Sequence, residues 1–147
     1  MTLLTPNFYI GLARYVATAS RDPSTKVGAV IVRPDRTIAS VGFNGMPRGM
    51  SDAPELYLDR ATKLSRTIHA EVNAILNAAE PVKGYDLYVS ALPPCAACAL
   101  VVVQSGIRRV FYERPSEELA RRWADSLAQT RAVFGEVGIE MVEVEND

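Results

Sequence analysis

The chain has 147 residues, 48% of them hydrophobic and 22% charged, with a formal net charge of -1. A chain of that length can bury most of its apolar surface in a single core, and its near-neutral balance argues against a dedicated binder of duplex DNA or long RNA, which carries a concentrated basic surface. No apolar run is long enough to cross a bilayer and no charged segment leads into an apolar one at the start, so a cytoplasmic protein without a membrane partner is expected.

The first segment, residues 6–19, sets Phe8, Leu12, Tyr15, Val16 and Ala19 on one helical face, and Asp22-Pro23-Ser24 supplies the turn after it. Val27 to Val32 and Ile38 to Phe43 are β-branched and apolar runs on either side of Arg33-Pro34-Asp35-Arg36, which predicts a hairpin. Asn44 to Gly49 reads as an irregular loop, and residues 52–65 read as loop with some helix. From His69 onward, Val72, Ile75, Leu76 and Ala79 recur at helical spacing until Pro81 and Gly84 end the run, and Leu87 to Ser90 forms a short strand.

Pro93-Pro94 stands just before Cys95, and Ala96 to Ser105 is a nearly all-apolar helix stopped by Gly106. Apolar on every side, that helix is expected to be buried, within the subunit or across an interface. Arg109 to Tyr112 makes a strand and Glu117 to Phe134 a long amphipathic helix, with Trp123 and Phe134 as core or interface residues and Arg121 and Arg122 facing water. Ile139 to Val144 is a final strand. The order αββαβαβαβ predicts one α/β domain over residues 1–147, its later strands parallel because helices join them.

The chemistry-bearing residues are few. The chain holds one histidine, His69, and two cysteines, Cys95 and Cys98, whose spacing suits metal binding or redox chemistry better than a structural disulfide. His69 and Cys95 each open a predicted helix after a strand or its approach, so both helix N-termini are expected at one sheet edge. One imidazole and two thiolates are a common zinc set, and three protein ligands leave a tetrahedral position open for water. Helix N-termini favour thiolates, and Pro94 fixes the backbone ahead of the first one. Glu71, two residues after His69, would take a proton from a zinc-activated water. A thioredoxin-like dithiol is the competing reading of Cys95-Ala-Ala-Cys98, and it leaves His69 and Glu71 without a task.

His-Ala-Glu at 69–71 followed by Pro-Cys-Ala-Ala-Cys at 94–98 matches the H-x-E…P-C-x-x-C pattern of zinc nucleobase deaminases. Beyond that pattern, DPSTKVGAVIV at 22–32, GFNGMPRGMSD at 42–52, HAEVNAIL at 69–76, VKGYDLYV at 82–89 and CAACALVVVQSGIRRVFY at 95–112 resemble the deoxycytidylate (dCMP) deaminases. The C-terminal helix and strand are less distinctive. The resemblance implies a three-layer α/β/α cytidine-deaminase-like fold, a five-stranded mixed sheet with its last two strands parallel, and one catalytic Zn2+ per subunit on His69, Cys95 and Cys98. It also implies hydrolysis of dCMP to dUMP and ammonia in pyrimidine deoxynucleotide metabolism. Zinc-activated water would attack ring carbon 4, with Glu71 shuttling protons to ring nitrogen 3 and the departing amine.

Carried over by position, Asn44 would bond the sugar and the main chain of Ala70 the base, while Lys26 and Arg48 are candidate phosphate contacts. The resemblance further implies a homo-oligomer, often a hexamer, and dCTP and dTTP as possible allosteric effectors. Met50 and Ile68 stand where related chains often carry cysteines, so a second, structural zinc site of that kind is excluded. The segment SALPPC at 90–95 is one residue longer than expected beside the pocket, which leaves room for a shifted base or sugar preference. Competing substrates are another nucleotide (modified dCMP, dCTP or a purine nucleotide) or a tRNA adenosine, the last disfavoured by the lack of a basic run.

Overall fold

The structure is a computed structural model and describes residues 3–145. Helix α1 (Pro6–Ala17) begins at Thr5, whose hydroxyl accepts the Phe8 N–H at 3.4 Å, with Pro6 in the first turn. Strands β1 (Gly28–Val32) and β2 (Ile38–Phe43) follow as an antiparallel hairpin whose register shifts between Ile31 and Val32. Next come α2 (Pro54–Leu58), α3 (Arg60–Arg66), α4 (Ala70–Asn77), β3 (Asp86–Val89), α5 (Ala96–Ser105), β4 (Arg109–Glu113), α6 (Glu117–Arg122), α7 (Ala124–Val137) and β5 (Glu140–Val144).

The sheet order is β2-β1-β3-β4-β5. β1 pairs antiparallel with both neighbours, while β3, β4 and β5 run parallel, so three strands and not only the last two share one direction. The reason is the crossover through α5, which returns the chain to pair β4 with β3 in the same sense.

Side-chain alternation divides the core into two layers. Ala29, Ile31, Leu87, Val89 and Val110 face α4, α5 and α7, with Phe134 of α7 in that cluster. Val30, Val32, Tyr88 and Phe111 face α1. The outcome is the expected five-stranded mixed sheet between two helical layers.

The buried face of α1 differs from the expected one. Tyr9, Ile10, Ala13 and Ala17 are buried, whereas Phe8 and Tyr15 are 43% and 77% exposed. Close backbone contact decides this: a Cβ on Gly28 would lie 1.9 Å from the Ala13 carbonyl oxygen, so the helix meets β1 through its small residues. Gly42 plays the same part on the other face, where a Cβ would come within 2.4 Å of the Ala74 nitrogen in α4.

Two further expectations are revised and a third is narrowed. Residues 52–65 hold more helix than expected, in α2 and α3. The predicted helix from Glu117 to Phe134 divides at Trp123, whose φ and ψ of -105° and 11° end α6 and start α7. Helix α5 buries Cys98, Ala99 and Val102 but leaves Leu100 and Val101 60% and 38% exposed, so this chain alone does not enclose it.

Candidate active site

His69 and Cys95 are the N-cap residues of α4 and α5, and neither side chain makes a capping hydrogen bond. Both are therefore free to turn toward each other. The approach to His69 is held by a bridge in which Gly45 and Ile68 exchange main-chain hydrogen bonds of 3.0 and 2.8 Å. His69 Nδ1 lies 3.5 Å from the Cys95 sulfur and 3.3 Å from the Cys98 sulfur. The three donor atoms lie within 4.8 Å of one another. A tetrahedral zinc ion with bonds of about 2.3 Å to sulfur and about 2.0–2.1 Å to nitrogen sets neighbouring N and S donors roughly 3.5 Å apart, so the group fits that ion.

The protonation of the two thiols fits the same picture. Cys98 first, and then His69, draw the Cys95 thiol well below the ordinary thiol range, while the neighbouring Cys95 sulfur and burial push Cys98 up. A divalent cation held by both sulfurs would favour two thiolates.

Glu71 stands in the first turn of α4 and is 5% exposed. Burial pushes its carboxyl up to about 7, against the opposing pull of its own main-chain amide and of His69. It is not one of the three clustered donors, so it is a buried carboxyl poised to gain and lose a proton near neutrality beside a metal-binding group.

These residues open onto a cavity of about 350 Å³ whose wall includes His69, Ala70, Glu71 and Cys95. Such a volume is at the smaller end of small-molecule sites. Asn44 is on the same wall, but its amide is already engaged: Oδ1 accepts the Val27 N–H at 2.9 Å and Nδ2 donates to the Thr25 carbonyl at 2.9 Å. Asp22, 4% exposed, organises that loop by accepting the Ser24 and Thr25 N–H groups and pairing with Lys63 at 2.9 Å.

Six of the residues singled out from sequence thus come together, namely His69, Cys95, Cys98, Glu71, Ala70 and Asn44. Lys26 and Arg48 do not line the cavity: the Lys26 amine donates to the Ser20 carbonyl, and Arg48 donates to Asn77 Oδ1 at 2.8 Å. The cations on the wall are Arg60, Lys63 and Arg122. Arg60 and Lys63 belong to α3, in a segment with no sequence signal for a site. Arg122, expected in water, reaches the cavity with Trp123 because the helix breaks there, and it donates to Thr25 Oγ1 at 3.3 Å. Leu92 and Pro93 add an apolar wall beside Cys95.

A three-layer α/β/α domain with an imidazole and two thiols at converging helix starts, and a buried carboxyl that is not a ligand, defines a zinc-dependent deaminase class. Comparison with known proteins agrees. Residues 6–114 match the cytidine and deoxycytidylate deaminase zinc-binding region. An uncharacterised deaminase of Aliivibrio fischeri is 39% identical over 133 residues, covering 90% of this chain and 88% of that protein. The deoxycytidylate deaminase of Mus musculus is 42% identical over 115 residues, covering 73% of this chain, which spans 63% of that protein's length. The crystal structure of the cyanophage S-TIM5 dCMP deaminase with dCMP and dUMP superposes with a TM-score of 0.77 at 23% identity, covering 98% of this chain and 99% of that one. The chain belongs to the cytidine and deoxycytidylate deaminase family.

Proposed function

We propose that the protein hydrolyses dCMP to dUMP and ammonia. The observation that carries this reading is Glu71, a buried carboxyl beside the His69, Cys95 and Cys98 donors on the wall of one cavity. A purely structural metal site has no use for it. Bound zinc supplies a Lewis acid that lowers the pKa of water to about 7.

Glu71 accepts the proton that the attacking water gives up and delivers it to ring nitrogen 3 of cytosine. A second transfer protonates the exocyclic amine, which leaves with its bonding electron pair as ammonia, while the water oxygen remains at ring carbon 4 as the carbonyl of uracil. A carboxyl held near 7 is suited to both directions of transfer at neutral pH. The main-chain N–H of Ala70, in the first turn of α4 and without an acceptor inside its helix, is assigned to the base. Asn44 is assigned to the sugar through the second lone pair of Oδ1.

For the phosphate we favour Arg60 and Arg122, which are on the cavity wall, over Lys26 and Arg48, which are not; Lys63 is already neutralised by Asp22. The same proposal includes a homo-oligomer, a hexamer by family likeness, formed through the exposed apolar side of α5 at Leu100 and Val101. It also includes dCTP and dTTP as effectors and a cytoplasmic setting; among the described residues no helix is long and apolar enough to cross a membrane.

The test is ammonia release from dCMP, dCTP, deoxycytidine, dAMP and tRNA supplied separately. Turnover of dCMP well above the others is expected. Activity confined to a purine nucleotide or to tRNA overturns the assignment of substrate. Sizing in solution and dCMP saturation curves with added dCTP or dTTP test assembly and regulation.

A further inference from the structure

Helix α5 has an unusual start. Its N-cap residue, Cys95, makes no capping bond with its side chain, and the first helical amide is capped from another helix: the Ala96 N–H donates to Ser126 Oγ of α7 at 2.8 Å. One turn further along α7, the buried Thr130 hydroxyl donates to the Pro94 carbonyl at 2.8 Å and shares its proton with the Ser126 carbonyl at 3.2 Å. Thr130 has no solvent exposure, and Pro94 is among the fully buried residues.

These two bonds fall on particular groups. The Pro94 carbonyl belongs to the peptide plane before the Cys95 Cα, and the Ala96 N–H belongs to the plane after it. Holding both planes fixes the only two soft backbone dihedrals of Cys95, observed at φ -70° and ψ 170°, and so fixes the direction of its Cα–Cβ bond. The ring of Pro94 already fixes that residue's own φ, leaving Cys95 as the hinge on which the sulfur's position depends. Ser126 and Thr130 lie beyond residue 114, outside the stretch matched to the family's zinc-binding region.

We propose that Ser126 and Thr130 are positioning residues for the metal centre: α7 replaces the cap that Cys95 withholds and clamps both peptide groups flanking that ligand, so that its sulfur is held ready for zinc. This inference rests on the zinc reading of His69, Cys95 and Cys98. Outer-shell partners of this kind are worth about 10- to 100-fold in metal affinity.

The test is zinc release from the zinc-loaded full-length protein into excess chromophoric chelator. Thr130→Val and Ser126→Ala are expected to release zinc about 10- to 100-fold faster than the parent protein, and Thr130→Ser, which keeps the hydroxyl, is expected to restore the slow rate. Phe134→Leu, which loosens α7 in the core without touching either peptide, is expected to lower the melting temperature but not to accelerate release. If Thr130→Val does not fold, the half-buried Ser126→Ala position keeps the measurement decisive. Release at the parent rate from Ser126→Ala, or equal acceleration in Phe134→Leu, overturns the clamp. A parent protein that takes up no zinc overturns both the clamp and the metal reading beneath it.

Discussion

The Cys98 sulfur lies 3.3 Å from Nδ1 of His69 although 29 residues separate the two in the chain. Two helix starts, one reached from α3 and the other from β3, meet there. Removing a thiol leaves two donors, too few for a held zinc ion. Cys98→Ala should therefore retain at least ~10-fold less zinc than the parent after purification and show no deamination, as metal analysis by mass spectrometry would reveal.

Metal removal should also be visible in stability. A ligand present at about 100 times its dissociation constant stabilises a fold by roughly 2.7 kcal/mol. Dialysis against a chelator should lower the melting temperature by several degrees, and added zinc should restore it in calorimetry. An unchanged melting curve would count against zinc at this site.

Glu71→Gln keeps the size of the side chain and leaves the three donors untouched. Zinc content and folding should match the parent, while kcat falls by about 10²-fold or more because the proton carrier is gone. An active Glu71→Gln variant would refute the mechanism.

Arg122 contacts Thr25 across a sequence separation of 97 residues and shares the cavity wall with Glu71. A half-exposed arginine on a phosphate is worth the lower part of the range for charged hydrogen bonds, about 1.5 kcal/mol, which is roughly tenfold. Arg122→Ala should raise KM for dCMP by about that factor and leave the weak turnover of deoxycytidine unchanged. Equal losses on both substrates would remove Arg122 from the phosphate.

Much of the site was legible in sequence because its chemistry depends on rare residue types at short spacings. His69, Glu71, Cys95 and Cys98 each carry a distinctive side chain, and two helix starts suffice to bring them together. The cations were not legible: Lys and Arg are common surface residues, and only tertiary placement separates Arg60 and Arg122 from Lys26 and Arg48. The α1 face was misread for a different reason. Hydrophobic periodicity favoured the large side chains at Phe8 and Tyr15, whereas backbone contact at Gly28 selects the small ones at Ala13 and Ala17.

That contact yields a paired stability prediction. Gly28→Ala would drive a methyl into the Ala13 carbonyl and should cost on the order of 3 kcal/mol, seen as a lower urea midpoint. Gly11→Ala, in the middle of α1 with nothing within 4 Å of the new carbon, should instead stabilise by about 1 kcal/mol. Destabilisation by both would place the helix differently against the sheet.

Glu80 offers a pH-dependent prediction away from the metal. Its carboxyl is held below the usual range first by the Arg33 guanidinium and then by the Tyr85 hydroxyl. A depressed folded-state pKa contributes stability above the unfolded value near 4.3 and loses it as pH falls through the folded value. The melting-temperature gap between the parent and Glu80→Gln should be present at pH 7 and shrink as pH falls below about 4.3. A gap that widens in acid would contradict the pairing.

The single imidazole and the two sulfhydryls of this sequence all belong to one cluster. Cobalt or cadmium introduced in place of zinc would therefore report from one address, with no background thiol or second ring to confuse the spectrum. Charge-transfer bands and the lone histidine resonance could be assigned without mutagenesis, so binding of a nucleotide beside the ion could be followed directly by optical or magnetic spectroscopy.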